Sequence, residues 1–371
     1  MPDPSPQPSR TYIGGQAVIE GVMMRSPKSF VVAVRQPDGQ IAIREQPWNV
    51  LLAKLPFMRW PILRGALVLA ESLHNGYSAL KFSADHALPP DETPGAGRPK
   101  PGLSTLLTFM LGAIVAATDP EAPTSQPPRE PSQKKSDAGA NAMLAFATVF
   151  MVLLFIALPH VLTWLIGRAI GPSFSANGLA FHVIDGVLRV AILVGYIWAI
   201  SKTADAKKLF RYHGAEHKAI WAYESDKALT VEQATPFTTR HPRCGTSFLF
   251  IVVGVAVSLH VLVLPWVPQL SPNALVNTLL MLLIKIPMAF PIAGIAYELQ
   301  RWSAKPSCPT VITAMTKPGI WLQSITTIEP APNQLEIALL SLDRALARET
   351  GNAKAHDGVT VYPSFGAAAA T

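Results

Sequence analysis

Four stretches of the chain are apolar with almost no interruption: Ala142 to Gly167, Ala180 to Ile200, Ser247 to Val267 and Leu275 to Tyr297. Each runs to about 20 residues or more, enough for a helix to cross a hydrocarbon core of about 30 Å. Charge, proline or glycine bounds each one. The pattern predicts an α-helical integral membrane protein with about four transmembrane helices, in a bundle spanning residues 141–300. A fifth apolar segment, Leu103 to Thr118, is shorter and fits a short span, a re-entrant piece or an interfacial helix equally well.

Outside these runs the period changes. In "SFVVAVRQPDGQIAIREQ" two short apolar runs flank Pro37-Asp38-Gly39, a turn signal, so residues 11–60 are expected to hold a small cytoplasmic β-containing segment. From Arg59 to Ala84, residues Leu63, Ala66, Leu67, Ala70, Leu73 and Tyr77 recur at helical spacing. Arg64, Glu71 and His74 on that segment suit a helix lying on the membrane or packed on the bundle, and complete an N-terminal unit over 11–84. Within a cytoplasmic segment 301–349, Leu335, Ala338, Leu339, Leu342 and Leu346 share one helical stripe, with Asn333 as the expected N-cap. Residues 1–10, the linkers of 85–140 on either side of the short apolar segment, and the tail 350–371 carry little to bury and read as flexible.

Composition sharpens the class. Charged residues make up 15% of the 371, against about 25% in soluble domains. The net charge of +7 does not point to nucleic acid, because its Lys and Arg are spread over segments beside the spans instead of forming one basic stripe. Ser201 to Thr246 carries Lys202, Lys207, Lys208, Arg211, Lys218, Lys227, Arg240 and Arg243, whereas "PWVPQLSPNA" carries neither Lys nor Arg. Positive-inside bias therefore puts residues 201–246, and with four spans both termini, in the cytoplasm. "MPDPSPQPSR" lacks the apolar core of a secretory signal. Cys244 and Cys308 are too few for a disulfide framework and read as free thiols.

The chemistry concentrates in "FRYHGAEHKAI". If Leu209 to Glu224 is helical, His213 and His217 stand one turn apart on one face, as a single metal ion requires, with Glu216 beside them. The spelling His-x-x-Glu-His matches the inverzincin motif, in which the glutamate is a base. His241 and Cys244 in "RHPRCGTSF" supply a second close pair, so a four-ligand divalent site of zinc type, with Glu216 as general acid or base, is one reading. Three others use the same residues: hydrogen-bonded contacts at the membrane interface with Lys218 reaching water, a closed zinc that only braces the loop, and Cys244 as a nucleophile. In the last, Thr246 or Ser247 caps the third span and His241 or His217 lies near the thiol. Asp185 and Arg189, four apart within the second span, are an internal ion pair or part of an intramembrane polar path. Glu298 is an interface residue, the partner of a cation or a residue serving the site. In "GGQAVIEGVMMRSP", the expected strand brings Glu20 and Arg25 near one another as a local ion pair.

Taken in order, "GGQAVIEGVMMRSP", "YHGAEHK", "HPRCGTSFL", "IAGIAYELQR" and "PGIWLQSITTIEP" resemble the YqhQ-like family of bacterial membrane proteins, a domain of unknown function, over roughly residues 11–346. The resemblance implies a multi-pass protein of the bacterial plasma membrane and a predicted metal-dependent enzyme without an established substrate. By position that description falls on His213, Glu216, His217, His241 and Cys244, with Glu20 and Arg25 as candidate partners. The sequence departs from the family at "HVIDGVLR", where Asp185-Gly186 stands for the more usual Glu-Gly, which keeps the carboxylate. The Pro-rich stretch near 85–140 is an individual addition. Two expectations follow: a cytoplasm-facing metal-dependent hydrolase acting on a membrane-associated substrate, with Glu216 and Glu20 as catalytic carboxylates, or a non-enzymatic membrane scaffold or lipid or small-solute handling protein. The bilayer is the one partner expected from the sequence.

Overall fold

The computed structural model describes residues 11–48, 60, 62–87, 145–146, 149–171, 174, 178–242, 244–303, 309–351 and 357–370. The N-terminal decapeptide, the short apolar segment Leu103 to Thr118 and Cys308 lie outside them.

The chain begins with a meander, β1 (Gly14–Val18), β2 (Gly21–Arg25), β3 (Ser29–Arg35) and β4 (Ile41–Pro47), all antiparallel neighbours in that order. The β3–β4 turn falls at the expected Pro-Asp-Gly, where Gly39 takes φ +87°, a left-handed conformation open to glycine at no steric cost. The run "SFVVAVR" is apolar without alternation because both faces of the sheet are covered. Val31 and Ala33 point into one core, while Phe30, Val32 and Val34 point into another.

Helix α1 (Leu63–Ala87) covers the second face through Ala79, Leu80, Phe82 and Ala87. Four helices are long and apolar enough to cross a membrane: α2 (Val149–Ile170), α3 (Leu179–Ile200), α5 (Gly245–Val263) and α6 (Ala274–Ser303). Between the second and third of these, residues 201–244 fold into α4 (Ala204–Glu224) and one further helical turn at Val231–Ala234. Apolar side chains such as Val187, Leu262 and Leu283 face outward from the four long helices.

Helix α1 also docks on α6. Gly65 packs on Gly294, so closely that a Cβ would stand 2.8 Å from the Gly294 carbonyl oxygen. The Arg64 guanidinium grips both oxygens of Glu298 at 2.6 Å, which answers what that carboxylate pairs with.

Three features differ from the sequence expectation. Residues Thr310–Thr326 form a helix, α7, packed along the first turns of α5; the Gly319 backbone lies where a Cβ would meet the Ser247 Cα at 2.2 Å. Residues 358–370, expected as a loose tail, supply β5 (Gly358–Tyr362), which pairs with β4, and a short helix, α9 (Phe365–Ala370). Between these stands α8 (Pro332–Glu349), whose N-cap is Ala331 and not Asn333. The Gln334 side chain accepts from the Ala331 N–H at 3.0 Å and does the capping work. Its buried stripe of Leu335, Ala338, Leu339 and Leu342 closes the first face of the sheet together with Leu209, Phe210 and Ala219 of α4.

Helix α4 starts at Thr203, whose hydroxyl accepts from the Ala206 N–H, and ends before Asp226, held at φ +55°. At its centre Gly214 lets the backbone at Ile328 approach: a Cβ there would lie 2.2 Å from the Ile328 carbonyl oxygen, and Ile328 in turn donates its N–H to Phe210 O. A backbone oxygen cannot swing away as a side chain can. Gly214→Ala should therefore cost about 1–3 kcal/mol by overpacking, read as a lowered melting temperature in detergent. Gly254→Ala in α5, where nothing lies within 4 Å, is the control and should melt with the unaltered protein; equal melting of both variants would contradict the close approach.

Candidate functional site

Residues 212–220 of α4 are all buried, so every polar side chain there must find a partner or a ligand. Nδ1 of His213 lies 2.9 Å from the Thr326 carbonyl at the end of α7, and Nδ1 of His217 hydrogen-bonds the Thr239 carbonyl. A carbonyl only accepts, so each Nδ1 carries the proton and each Nε2 presents a lone pair. This is how imidazoles are oriented when the far nitrogen is a metal ligand.

Those two nitrogens converge with a thiol. Cys244 immediately precedes α5, and its Sγ is 3.2 Å from His213 Nε2. One ligand atom from each of His213, His217 and Cys244 falls within 4.8 Å of the others. Ligands sharing one tetrahedral zinc stand about 3.4–3.7 Å apart, given Zn–N near 2.0–2.1 Å and Zn–S near 2.3 Å. The trio thus needs only small side-chain adjustments to meet that spacing. His217 Nε2, 1% exposed as a residue, has no hydrogen-bond partner among the described residues. An orphaned buried lone pair aimed at this cluster fits a metal ligand.

His241 and Glu216 take different places. Nε2 of His241 lies 3.3 Å from Glu224 Oε2, and its backbone is clasped by Gln323 of α7, which accepts from the His241 N–H at 2.8 Å and donates to its carbonyl at 2.9 Å. Glu216 Oε2 is 4.0 Å from His213 Nε2. From the far side Gly15 of β1 presses on this carboxylate, leaving no room for a side chain: a Cβ would be 2.6 Å from Glu216 Oε1. A cavity of about 30 Å³ lies between these groups, lined by Tyr12, Gly14, Gly15, Glu216, His217 and Cys244 among others. It has room for a water or two, and Gly14 and Gly15 of β1 form part of its wall.

Glu20 is not in this cavity. It occupies the β1–β2 turn at φ +50° and binds Lys208 Nζ at 3.0 Å and the Tyr212 hydroxyl at 3.3 Å. Burial and the neighbouring Glu20 push the Tyr212 phenol above its usual value. Nor is Glu20 paired with Arg25, because Arg25 lies at the opposite end of β2 with its guanidinium 5.6 Å from the Trp48 ring centre. Lys218, which the interface reading alone sends to water, is buried and ion-pairs with Glu329. The sequence reading missed Gln323, Thr326 and Thr239, which orient the histidines. Only "PGIWLQSITTIEP" among the motifs hinted that two of them belonged here.

Desolvation pushes His217 below the usual imidazole range, and pushes His241 down to about 4. The folded protein thus holds fewer protons on His241 than the unfolded chain between pH 6.5 and 4. Stability from this residue is complete above pH 6.5 and drains away as pH falls toward 4, by at most about 3 kcal/mol. The stability gap between the unaltered protein and His241→Asn, followed by denaturant melts in detergent, should narrow by that order over this window. A gap independent of pH would place the ring in water.

Comparison with known proteins adds a family. The profile described as a protein of unknown function (DUF1385) matches residues 60–348, which take in all four candidate ligands and Glu216 but begin after β4. The uncharacterized protein YqhQ of Bacillus subtilis (strain 168) is 31% identical over 345 residues, covering 91% of this chain and 92% of the relative. No solved structure matches.

Proposed function

We propose, on the premise that the chain belongs to the DUF1385 family of proteins of unknown function, that it is a multi-pass membrane protein with a zinc-type hydrolytic site. The site sits where the α4 layer meets the membrane bundle. His213, His217 and Cys244 are the ligands, and the observation that carries this reading is the orphaned Nε2 of His217 beside the His213–Cys244 pair. Two imidazoles and a thiolate suit zinc among divalent ions. When bound, such an ion supplies Lewis acidity and acidifies water toward neutral pH.

The chain's own residues do the rest. Thr326 and Thr239 hold the two rings in one tautomer. Glu216, pinned by Gly15, accepts the proton of the attacking water and returns it to the leaving group, as a general base and then acid. His241 braces the Cys244 turn, since Cys244 donates its N–H to the His241 carbonyl at 3.3 Å. The substrate class is an ester, amide or phosphoester on a molecule held at the membrane, in keeping with a cavity at the end of the bundle. The Lys- and Arg-rich surface of α4 supports a plasma-membrane topology with this face and both termini in the cytoplasm.

A second reading rests on the same 3.2 Å contact. His213 Nε2 with its lone pair toward Sγ, and the thiol at the start of α5, is also the arrangement of a nucleophilic cysteine and its base.

Metal analysis of protein purified in detergent without chelator separates them. About one zinc per chain is expected, lost in His213→Ala, His217→Ala and Cys244→Ser, and kept in His241→Ala, Glu20→Gln and Glu216→Gln, the last with hydrolysis lost. A metal-free protein whose Cys244 is alkylated rapidly at neutral pH, and slowly in His213→Ala, would replace zinc with the thiol reading. A metal-free protein with a sluggish thiol would remove both.

A further inference from the structure

The ion pair read from the second span is one edge of a larger cluster. Asp185 Oδ2 accepts from Arg189 at 3.1 Å, as the i,i+4 spacing predicts, but also from Lys285 Nζ of α6 at 2.8 Å. Lys285 donates to Nδ1 of His160 in α2 at 2.9 Å, and His160 Nε2 donates to the Thr278 carbonyl at 3.1 Å. Arg189 donates to Nδ1 of His260 in α5 at 3.4 Å. His182 stands on α3 one turn before Asp185. All six side chains are at most 8% exposed, and they come from all four long apolar helices.

Two separate counts leave this cluster short of the same thing. The charge count has Arg189 and Lys285 against Asp185 alone. The other carboxylate in the four helices, Glu298, is thirteen residues along α6 from Lys285, roughly 20 Å away, and is already gripped by Arg64. The hydrogen-bond count has spare donors. With Nδ1 accepting from Arg189, His260 carries its proton on Nε2, and that group is buried without a partner among the described residues. Arg189 Nε is likewise an unpartnered donor there, and both ring nitrogens of His182 are unpartnered, one a donor and the other an acceptor; donors on three residues thus face two acceptors, that nitrogen and Asp185 Oδ1. Surplus positive charge and surplus N–H groups in a low-dielectric interior are both relieved by one anion.

We infer that Arg189, Lys285, His182 and His260 form a binding site for a small monovalent anion, a halide or a carboxylate, inside the helix bundle. The site is separate from the His213–Cys244 cavity: His260 lies sixteen residues beyond Cys244 along α5, roughly 24 Å. It stands whether or not the zinc reading does. Asp185 sets its strength by cancelling one of two cations. The membrane-facing surface of the bundle is apolar, so the anion enters from an aqueous end and not from lipid.

The test is melting temperature in detergent against chloride, or formate in a separate series, with isethionate, a sulfonate, holding the ionic strength, and 35Cl line broadening as a direct readout. The unaltered protein should gain about 2–4 °C per tenfold rise in anion above its dissociation constant. Lys285→Met leaves Asp185 and Arg189 balanced and should lose both the shift and the broadening. Asp185→Asn leaves two cations and should bind at least tenfold more tightly, an opposite sign that a merely structural salt bridge does not produce. A response to chloride alone or formate alone identifies the class of anion and upholds the site. Should Lys285→Met fail to fold, the unaltered protein and Asp185→Asn carry the comparison. Indifference of both to both anions, with no chloride broadening, would overturn the inference.

Discussion

Helix α4 is enclosed on every side over residues 212–220, and the rest of the molecule is arranged around that enclosure. A helix buried all round is normally apolar, yet this one carries two histidines, a glutamate and a lysine. Burying them is tolerable only if each polar atom is met. The neighbours supply those partners: the end of α7 for His213, the segment before α5 for His217, Glu329 and the Thr235 carbonyl for Lys218. The glycines explain how they come close enough. Gly214 admits the Ile328 backbone, and Gly15 admits the Glu216 carboxylate.

This arrangement joins two parts of different character. The sheet, α4 and α8 form one apolar core, and the long helices α3 and α5 with α7 form another, in which Leu193, Ile197, Val253 and Leu322 meet. His213 and His217 belong to the first part and Cys244 to the second. Any ligand held by all three therefore also fastens the two parts together. The bidentate Arg64–Glu298 pair does the same on the far side, between α1 and α6.

Much of this was legible before the structure. The apolar runs marked the four long helices, Pro37-Asp38-Gly39 marked a hairpin, and the spacing of His213 and His217 marked one helical face, because each signal is local. What escaped was non-local or mixed in character. Helix α7 carries Pro318 within it and has no continuous stripe, so its periodicity is weak, although its packing against α5 is tight. The Asp185–Arg189 pair showed in the sequence, but His160, His260 and Lys285 sit alone in three other spans, and nothing in their spacing couples them. Glu20 and Arg25 misled in the opposite way: five residues apart in sequence, they sit at the two ends of β2.

The pairing of β4 with β5 has a bearing on how the protein is made. The meander leaves the ribosome before α8 and β5, which cover one of its faces and one of its edges and begin about 280 and 310 residues after β4 ends. At usual synthesis rates the delay is roughly a quarter of a minute to a minute. During it, Ala17, Val22, Met24, Val31 and Ile43 have no permanent cover from α8 and β4 is an open edge, while the four long apolar helices are being made. The sheet is therefore complete only after the last of the four long helices has been synthesised. Assembly of the sheet layer is thereby timed by completion of the long-helix part.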